Sequence, residues 1–151
     1  FCYNQYNGKA VAPTGFLPVG VFCFGGVCLK ILIIGYDAEL TALTGKMLSR
    51  KGYNTICSTD SGEVLSLIER ENIRLVIADI ETDEAERLKF CRLIKSTQKS
   101  PKILFVGRSS DEEIKALNAG ADDWIKKPYK TAVFIARVAA LMRQHETVLQ
   151  K

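Results

Sequence analysis

The sequence predicts an α/β fold, a doubly wound five-stranded parallel sheet with flanking helices. Two observations support this fold. The chain contains five short segments of strand type, and longer segments in which apolar residues recur at helical spacing alternate with them. Parallel strands need long crossover connections, and right-handed crossovers place the helices on both faces of the sheet. Such sheets carry their functional sites at the carboxyl ends of the strands.

Each predicted strand is short, and each is followed by one helical pattern. The strands are Ile31–Ile34, Tyr53–Ser58, Leu75–Ala78, Ile103–Val106 and Trp124–Ile125. The helices are Ala38–Lys51, a helix that follows Asp60, Glu84–Ser96, Ser110–Ala119, and Thr131 to about Gln144. The chain therefore repeats the strand–helix unit from which parallel sheets are built.

Capping and stop residues mark the ends of these helices. Asp60 with Glu63, and Ser110 with Glu113, have capping-box spacing, and glycine follows the first and fourth helices. The side chains predicted to face the core are Leu40, Leu43, Met47 and Leu48 in the first helix; Val64, Leu65, Leu67 and Ile68 in the second; Leu88, Cys91 and Ile94 in the third; and Phe134, Val138, Leu141 and Met142 in the last.

The composition is that of an ordinary globular domain, with 47% hydrophobic and 25% charged residues in a chain of 151. The formal net charge of +4 is modest and scattered, so charge alone does not indicate nucleic-acid binding. The five cysteines form no C-x-x-C pair and have no histidine at zinc-ligand spacing. We therefore expect reduced thiols in a cytoplasmic protein.

The first part of the chain differs in composition from the rest. Only Lys9 is charged there, and prolines and glycines interrupt the apolar run 10–29, which makes it a poor helix despite its length. We expect residues 1–28 to be an extension outside the fold, disordered or not native, with a membrane or signal segment as the alternative. The predicted domain is 29–143, and 144–151 form a tail or the start of a linker.

Three polar features follow predicted strands. Asp37 comes after the first strand, Asp79 after the third, and Lys127 with Pro128 after the fifth. If they converge, they join a carboxylate nucleophile to a cation that can neutralise a transferred phosphoryl group. The strand ends therefore predict phosphoryl chemistry at Asp79.

These segments resemble a known family. L-V-I-A-D-I around Asp79 and A-G-A-D-D-W-I-K-K-P-Y at 119–129 are similar to the receiver domains of two-component response regulators, which have a flavodoxin-like fold. The segment 128–143 resembles the closing helix of the subgroup whose effector is a winged-helix DNA-binding domain. The resemblance covers nearly all of 29–143.

The resemblance implies that Asp79 accepts a phosphoryl group from the phosphohistidine of a sensor histidine kinase. Lys127 would hold the phosphoryl oxygens, and a Mg²⁺ ion, with Asp79 among its ligands, would offset the negative charge. The bond between Lys127 and Pro128 is expected to be cis. Trp124 occupies the position of the family's aromatic switch, although a core role is an equal alternative. The transfer is stoichiometric, so no enzyme activity is expected.

The sequence also departs from the family pattern. The acidic pair that follows the first strand falls on Gly35 and Tyr36, and only Asp37, one position late, remains as a weak member of an acidic pocket. The hydroxyl residue that follows the fourth strand falls on Val106 or Gly107, and Ser109 or Ser110 could replace it only if the loop folds differently. Both changes are expected to weaken Mg²⁺ binding and phosphotransfer.

Three functions are therefore compared. The first is a phosphorylated receiver that regulates transcription through a DNA-binding effector absent from this chain, with a sensor kinase as partner, a homodimer through the fourth and fifth units, and no membrane. The second is a pseudo-receiver, an interaction module independent of phosphorylation. A small α/β enzyme or nucleotide-binding domain is disfavoured, because no phosphate-cradling glycine motif or nucleophile elbow occurs.

Overall fold

The computed structural model describes residues 23–24, 27–79 and 83–149, with side chains for 29–79 and 83–143. Its main sheet contains five parallel strands: β1 (Lys30–Gly35), β2 (Asn54–Ser58), β3 (Ile73–Asp79), β4 (Lys102–Gly107) and β5 (Asp123–Lys126). They lie in the order β2-β1-β3-β4-β5. The predicted doubly wound parallel sheet is confirmed.

Helices cover both faces of this sheet. They are α1 (Ala38–Arg50), α2 (Val64–Arg70) after a 3-10 turn at Ser61–Glu63, α3 (Glu84–Ser96), α4 (Ser110–Ala119) and α5 (Thr131–Leu149). The bounds of α3 and α4 are as predicted, whereas α5 continues past Gln144 into the predicted tail. Within the described ranges, no helix combines the length and the apolar character needed to cross a membrane.

Only a short part of the predicted N-terminal extension is described. Cys23–Phe24 pairs antiparallel with Val27–Cys28, in a two-stranded sheet separate from the main one. Most of the apolar run 10–29, on which the membrane and signal alternatives depend, lies outside the described residues.

The core consists of two layers, one on each face of the sheet. Alternate residues of the central strands face opposite layers, so that Leu32 and Ile34 pack with α2, α3 and α4, while Ile31 and Ile33 pack with α1 and α5. Burial on both faces explains why these strands are continuous aliphatic runs and do not alternate with polar residues.

The predicted core face of α1 is wrong for two of its four residues. Leu48 is fully buried and Met47 is partly buried against the core, but Leu40 and Leu43 are 52% and 60% exposed, and Thr41 and Gly45 are buried in their place. A threonine can be buried here because its hydroxyl donates a hydrogen bond to the Asp37 carbonyl oxygen, at 2.7 Å. The small side chains let the helix lie close to the sheet, which turns the two leucines outward.

The other predicted core faces agree with the structure, except that Leu65 and Leu88 are only partly buried. The residues confirmed as buried are Val64, Leu67, Ile68, Cys91, Ile94, Phe134, Val138, Leu141 and Met142. Burial raises the pKa of the Cys91 thiol to about 11, so the thiol is protonated at neutral pH and behaves as a core hydrophobe.

The predicted helix caps need two corrections. Asp60 caps the 3-10 turn through the Gly62 N–H, but the Glu63 carboxylate accepts from the Ser58 hydroxyl and does not complete a capping box. At α4 the box is one residue earlier than predicted. Its members are Ser109 and Glu112, because Ser109 still has extended backbone angles and is therefore the cap residue.

Asp122 joins three elements at the amino ends of β4 and β5. Its Oδ2 accepts the Ile103 N–H of β4 at 2.8 Å and the Lys95 ammonium of α3 at 2.6 Å. Its Oδ1 lies 3.6 Å from the Lys102 ammonium. A carboxylate that accepts a backbone N–H at a strand start holds α3, β4 and the turn before β5 together.

We predict that Asp122→Ala lowers the free energy of unfolding by about 1.5–3 kcal/mol, because a half-buried N–H and an ammonium group lose a charged acceptor. Arg137→Ala is the matched control. It removes the exposed ion pair with Asp123 and should cost less than about 1 kcal/mol. Urea unfolding followed by circular dichroism measures both. Equal losses would show that Asp122 is no more than a surface charge.

Candidate functional site

The candidate site lies where the carboxyl ends of the strands meet. Gly35 at the end of β1 pairs with Asp79 at the end of β3, and Gly107 at the end of β4 pairs with Lys126 of β5. Lys127 follows β5 directly, and its N–H donates to the Gly107 carbonyl oxygen at 2.7 Å. The sheet therefore positions all of these residues at one edge.

Two of the predicted site residues are in contact. The Lys127 ammonium lies 2.5 Å from Oδ2 of Asp79, and both side chains are about one third exposed. The peptide bond between Lys127 and Pro128 is cis, as expected. The arrangement can combine an accessible carboxylate oxygen with a cation that neutralises charge gathering beside it.

Asp37 has different partners from those expected of an acidic-pocket residue. Its Oδ1 accepts the backbone N–H groups of Glu39 at 2.9 Å and Leu40 at 3.2 Å, so the carboxylate caps the start of α1. An acidic side chain immediately before a helix is well suited to this capping function. Asp37 thus belongs to the helix start, where its charge stabilises exposed N–H groups.

The space beside Gly35 is occupied by Thr41. A Cβ atom at residue 35 would lie 2.6 Å from the Thr41 Oγ1 and 3.5 Å from the Asp79 carbonyl oxygen. An acidic side chain therefore cannot be added at this position unless Thr41 moves. The next residue, Tyr36, is 59% exposed, so its side chain is largely in solvent.

Gly107 and Trp124 form a close pair at the end of β4. A Cβ atom at residue 107 would lie 1.6 Å from the Cη2 of Trp124 and would overlap the edge of the indole ring. The ring is 4% exposed and belongs to the core layer that contains Phe105 and Ala116. Neither Gly107 nor the buried Val106 offers a hydroxyl to the site.

Tyr129 is a neighbour of Asp79 that the sequence analysis did not single out. Burial raises the pKa of its phenol, and the negative charge of Asp79 raises that pKa further. The ring stacks on Phe134, with centroids 5.1 Å apart. Its position directly after the Lys-Pro pair is the sequence signal that could have identified it.

Residues 31–139 match the family model described as the response regulator receiver domain. The chain belongs to this family. It is 29% identical over 116 residues to the transcriptional regulatory protein CpxR of Escherichia coli, a match that covers 76% of this chain and 50% of CpxR. The receiver therefore spans half the length of this relative.

Solved structures support the same fold. A two-component response regulator from Clostridium difficile superimposes with a TM-score of 0.67 at 23% identity, covering 78% of this chain and 98% of that one. HP1043, an orphan response regulator of H. pylori, has a TM-score of 0.64 at 26% identity, covering 75% and 95%.

Receiver domains typically bind Mg²⁺ in an acidic pocket. Mg²⁺ in proteins is held by oxygen ligands that include carboxylates. Within the described ranges, no group of three or more acidic, histidine or cysteine side chains could hold a metal ion. Asp79 is already paired with Lys127. The described residues therefore offer Mg²⁺ fewer than three clustered ligand side chains, so water and phosphate oxygens would have to supply most of its coordination.

We predict that Asp79→Asn lowers the pKa of the Tyr129 phenol, because it removes a nearby negative charge and leaves the cation of Lys127 in place. Titration of the Tyr129 ring signals by NMR measures this shift. Asp123→Asn removes an acidic group that does not affect Tyr129, and it should leave the pKa unchanged. A Tyr129 pKa unaffected by Asp79→Asn would place the two groups too far apart to interact.

Proposed function

We propose that this receiver domain accepts a phosphoryl group on Asp79 and passes the signal to an effector outside the described chain. The observation that carries the proposal is the contact between Asp79 and Lys127, 2.5 Å apart at the carboxyl ends of β3 and β5. An oxygen of the Asp79 carboxylate would attack phosphorus while Lys127 neutralises a phosphoryl oxygen.

The partners of the whole protein are part of the same proposal. CpxR is a transcriptional regulatory protein, so we infer that an effector domain which binds DNA completes the regulator in the cytoplasm. A sensor histidine kinase would supply the phosphoryl group, breaking its phosphorus–nitrogen bond as the bond to Asp79 forms. A homodimer through α4, β5 and α5 is also consistent with the exposed Ile114, Leu117 and Val133 on that surface.

We predict that incubation with acetyl phosphate and Mg²⁺ adds one phosphoryl group to the protein. Intact-mass spectrometry measures the addition, which should disappear in Asp79→Asn. Lys127→Ala should retain the acceptor oxygen but react more slowly, by on the order of a hundredfold, because a charge-neutralising contact is lost. If the folded wild-type protein takes up no phosphoryl group, phosphorylation control is ruled out.

The second candidate is a pseudo-receiver that binds its partners independently of phosphorylation. Two observations favour it: Gly35 and Tyr36, at the end of β1, provide no carboxylate for Mg²⁺, and Gly107 provides no hydroxyl at the end of β4. In this case the Asp79–Lys127 contact is an internal ion pair that stabilises the strand ends. The acetyl phosphate experiment separates the two candidates.

We predict that Tyr36→Asp increases the rate of Mg²⁺-dependent phosphorylation by on the order of tenfold, because a second carboxylate near Asp79 attracts the divalent cation. Because the Tyr36 side chain is exposed, the substitution should change the stability of the folded protein little. Tyr36→Asn is the matched control, because an asparagine side chain has the size of an aspartate side chain but no charge. Equal phosphorylation rates in the two variants would contradict a shortage of acidic ligands as the reason for slow transfer.

A further inference from the structure

The Trp124 ring lies against the backbone of Gly107. Three of its atoms, Cη2, Cζ2 and Cζ3, lie 1.6, 2.3 and 2.5 Å from the position of a Cβ at residue 107. All three distances are shorter than any contact that a real Cβ makes. Any side chain at residue 107 would therefore displace the ring, and the glycine is what allows the indole to lie there.

The surroundings of the ring give it one well-packed position. Trp124 is 4% exposed and shares a core layer with Phe105, Ala116 and Ala121, which are all buried. Phe105 is its direct partner across the β4–β5 ladder. If the ring turned outward, it would leave a void over Gly107, which has no side chain to fill it.

Packing alone holds the ring in this position. The indole Nε1 is buried and has no hydrogen-bond partner among the described residues, although buried tryptophans usually have one. The inward position of the ring therefore depends on how the ring packs and not on a polar contact.

Helix α4, which covers Trp124, is also attached to α3. The Glu84 carboxylate of α3 accepts from the Lys115 ammonium of α4 at 2.7 Å. Glu112, whose Oε2 accepts the Arg108 N–H at 3.0 Å, lies 3.9 Å from the buried Arg87 of α3. These pairs add little energy individually because they are partly exposed, but they fix the side-to-side position of α4 above the ring.

We propose that Trp124 is held permanently inward by Gly107, so that the surface formed by α4, β5 and α5 has the same conformation with and without a phosphoryl group on Asp79. An exchange of space between the ring and residue 107 would need side-chain atoms at residue 107, and Gly107 has none. If the proposed function holds, the phosphoryl signal must therefore leave the domain by a surface other than the one formed by α4, β5 and α5. This consequence rests on the proposed function, whereas the packing itself does not.

The test uses Trp124 fluorescence, because the chain contains one tryptophan. In the wild-type protein we expect blue-shifted emission and little quenching by acrylamide. Both should remain unchanged when intact-mass spectrometry confirms phosphorylation by acetyl phosphate. Free access of acrylamide to the wild-type tryptophan, or a change in quenching on confirmed phosphorylation, would overturn the proposal.

Gly107→Ser tests the contact directly. The new side chain should expel the ring, shift the emission to longer wavelength and raise the quenching constant several-fold without any phosphoryl donor. Gly62→Ser is the matched control, because a Cβ there meets only Asp60, and it should leave the emission unchanged. A folded Gly107→Ser protein with a shielded tryptophan would overturn the proposal.

The two proposals fail in different ways. Absence of phosphorylation contradicts the proposed function. The inward position of the Trp124 ring is then tested by acrylamide quenching of the wild-type protein and of Gly107→Ser. If Gly107→Ser does not fold, the milder Gly107→Ala and the wild-type quenching decide it. Confirmed phosphorylation with a moving tryptophan supports the proposed function and overturns the permanent inward position.

Discussion

The parallel pairing of β1 with β3 is the constraint on which the site depends. It places Gly35 beside Asp79, while the pairing of β4 with β5 brings the residue after Lys126 to the same edge. Because side chains alternate between the faces of a strand, a slip of one residue in either ladder would turn the Asp79 or Lys127 side chain away. The contact between the two side chains is therefore a product of the sheet register.

Much of this arrangement could be predicted from the sequence because it depends on local signals. Runs such as Ile31–Ile34 are aliphatic throughout, which is typical of strands buried on both faces, and their ends define where polar residues can gather. Asp79 comes directly after such a run and Lys127 comes shortly after the fifth strand, so their convergence followed from the strand assignments. The left-handed Gly120 ended α4 where predicted.

The remaining features depend on which of several possible contacts a residue makes in the folded protein. An acidic residue such as Asp37 suits a metal pocket and a helix cap equally well, and the sequence does not distinguish them. The outward position of Leu40 accompanies the burial of Thr41, and the packing of α1 on the sheet decides which of these two neighbours faces inward. Likewise, the reason for a glycine at residue 107 is the Trp124 ring on the neighbouring strand.

In α1, the residues that pack on the sheet differ from the apolar residues that face the solvent. Thr41, Gly45 and Leu48 make the contacts with the sheet, so the apolar character of Leu40 and Leu43 contributes little to folding. The solubility of the protein and its thermal stability are then set by different residues of the same helix. Charged residues in place of the two leucines would reduce self-association at high concentration while the melting temperature stayed nearly constant.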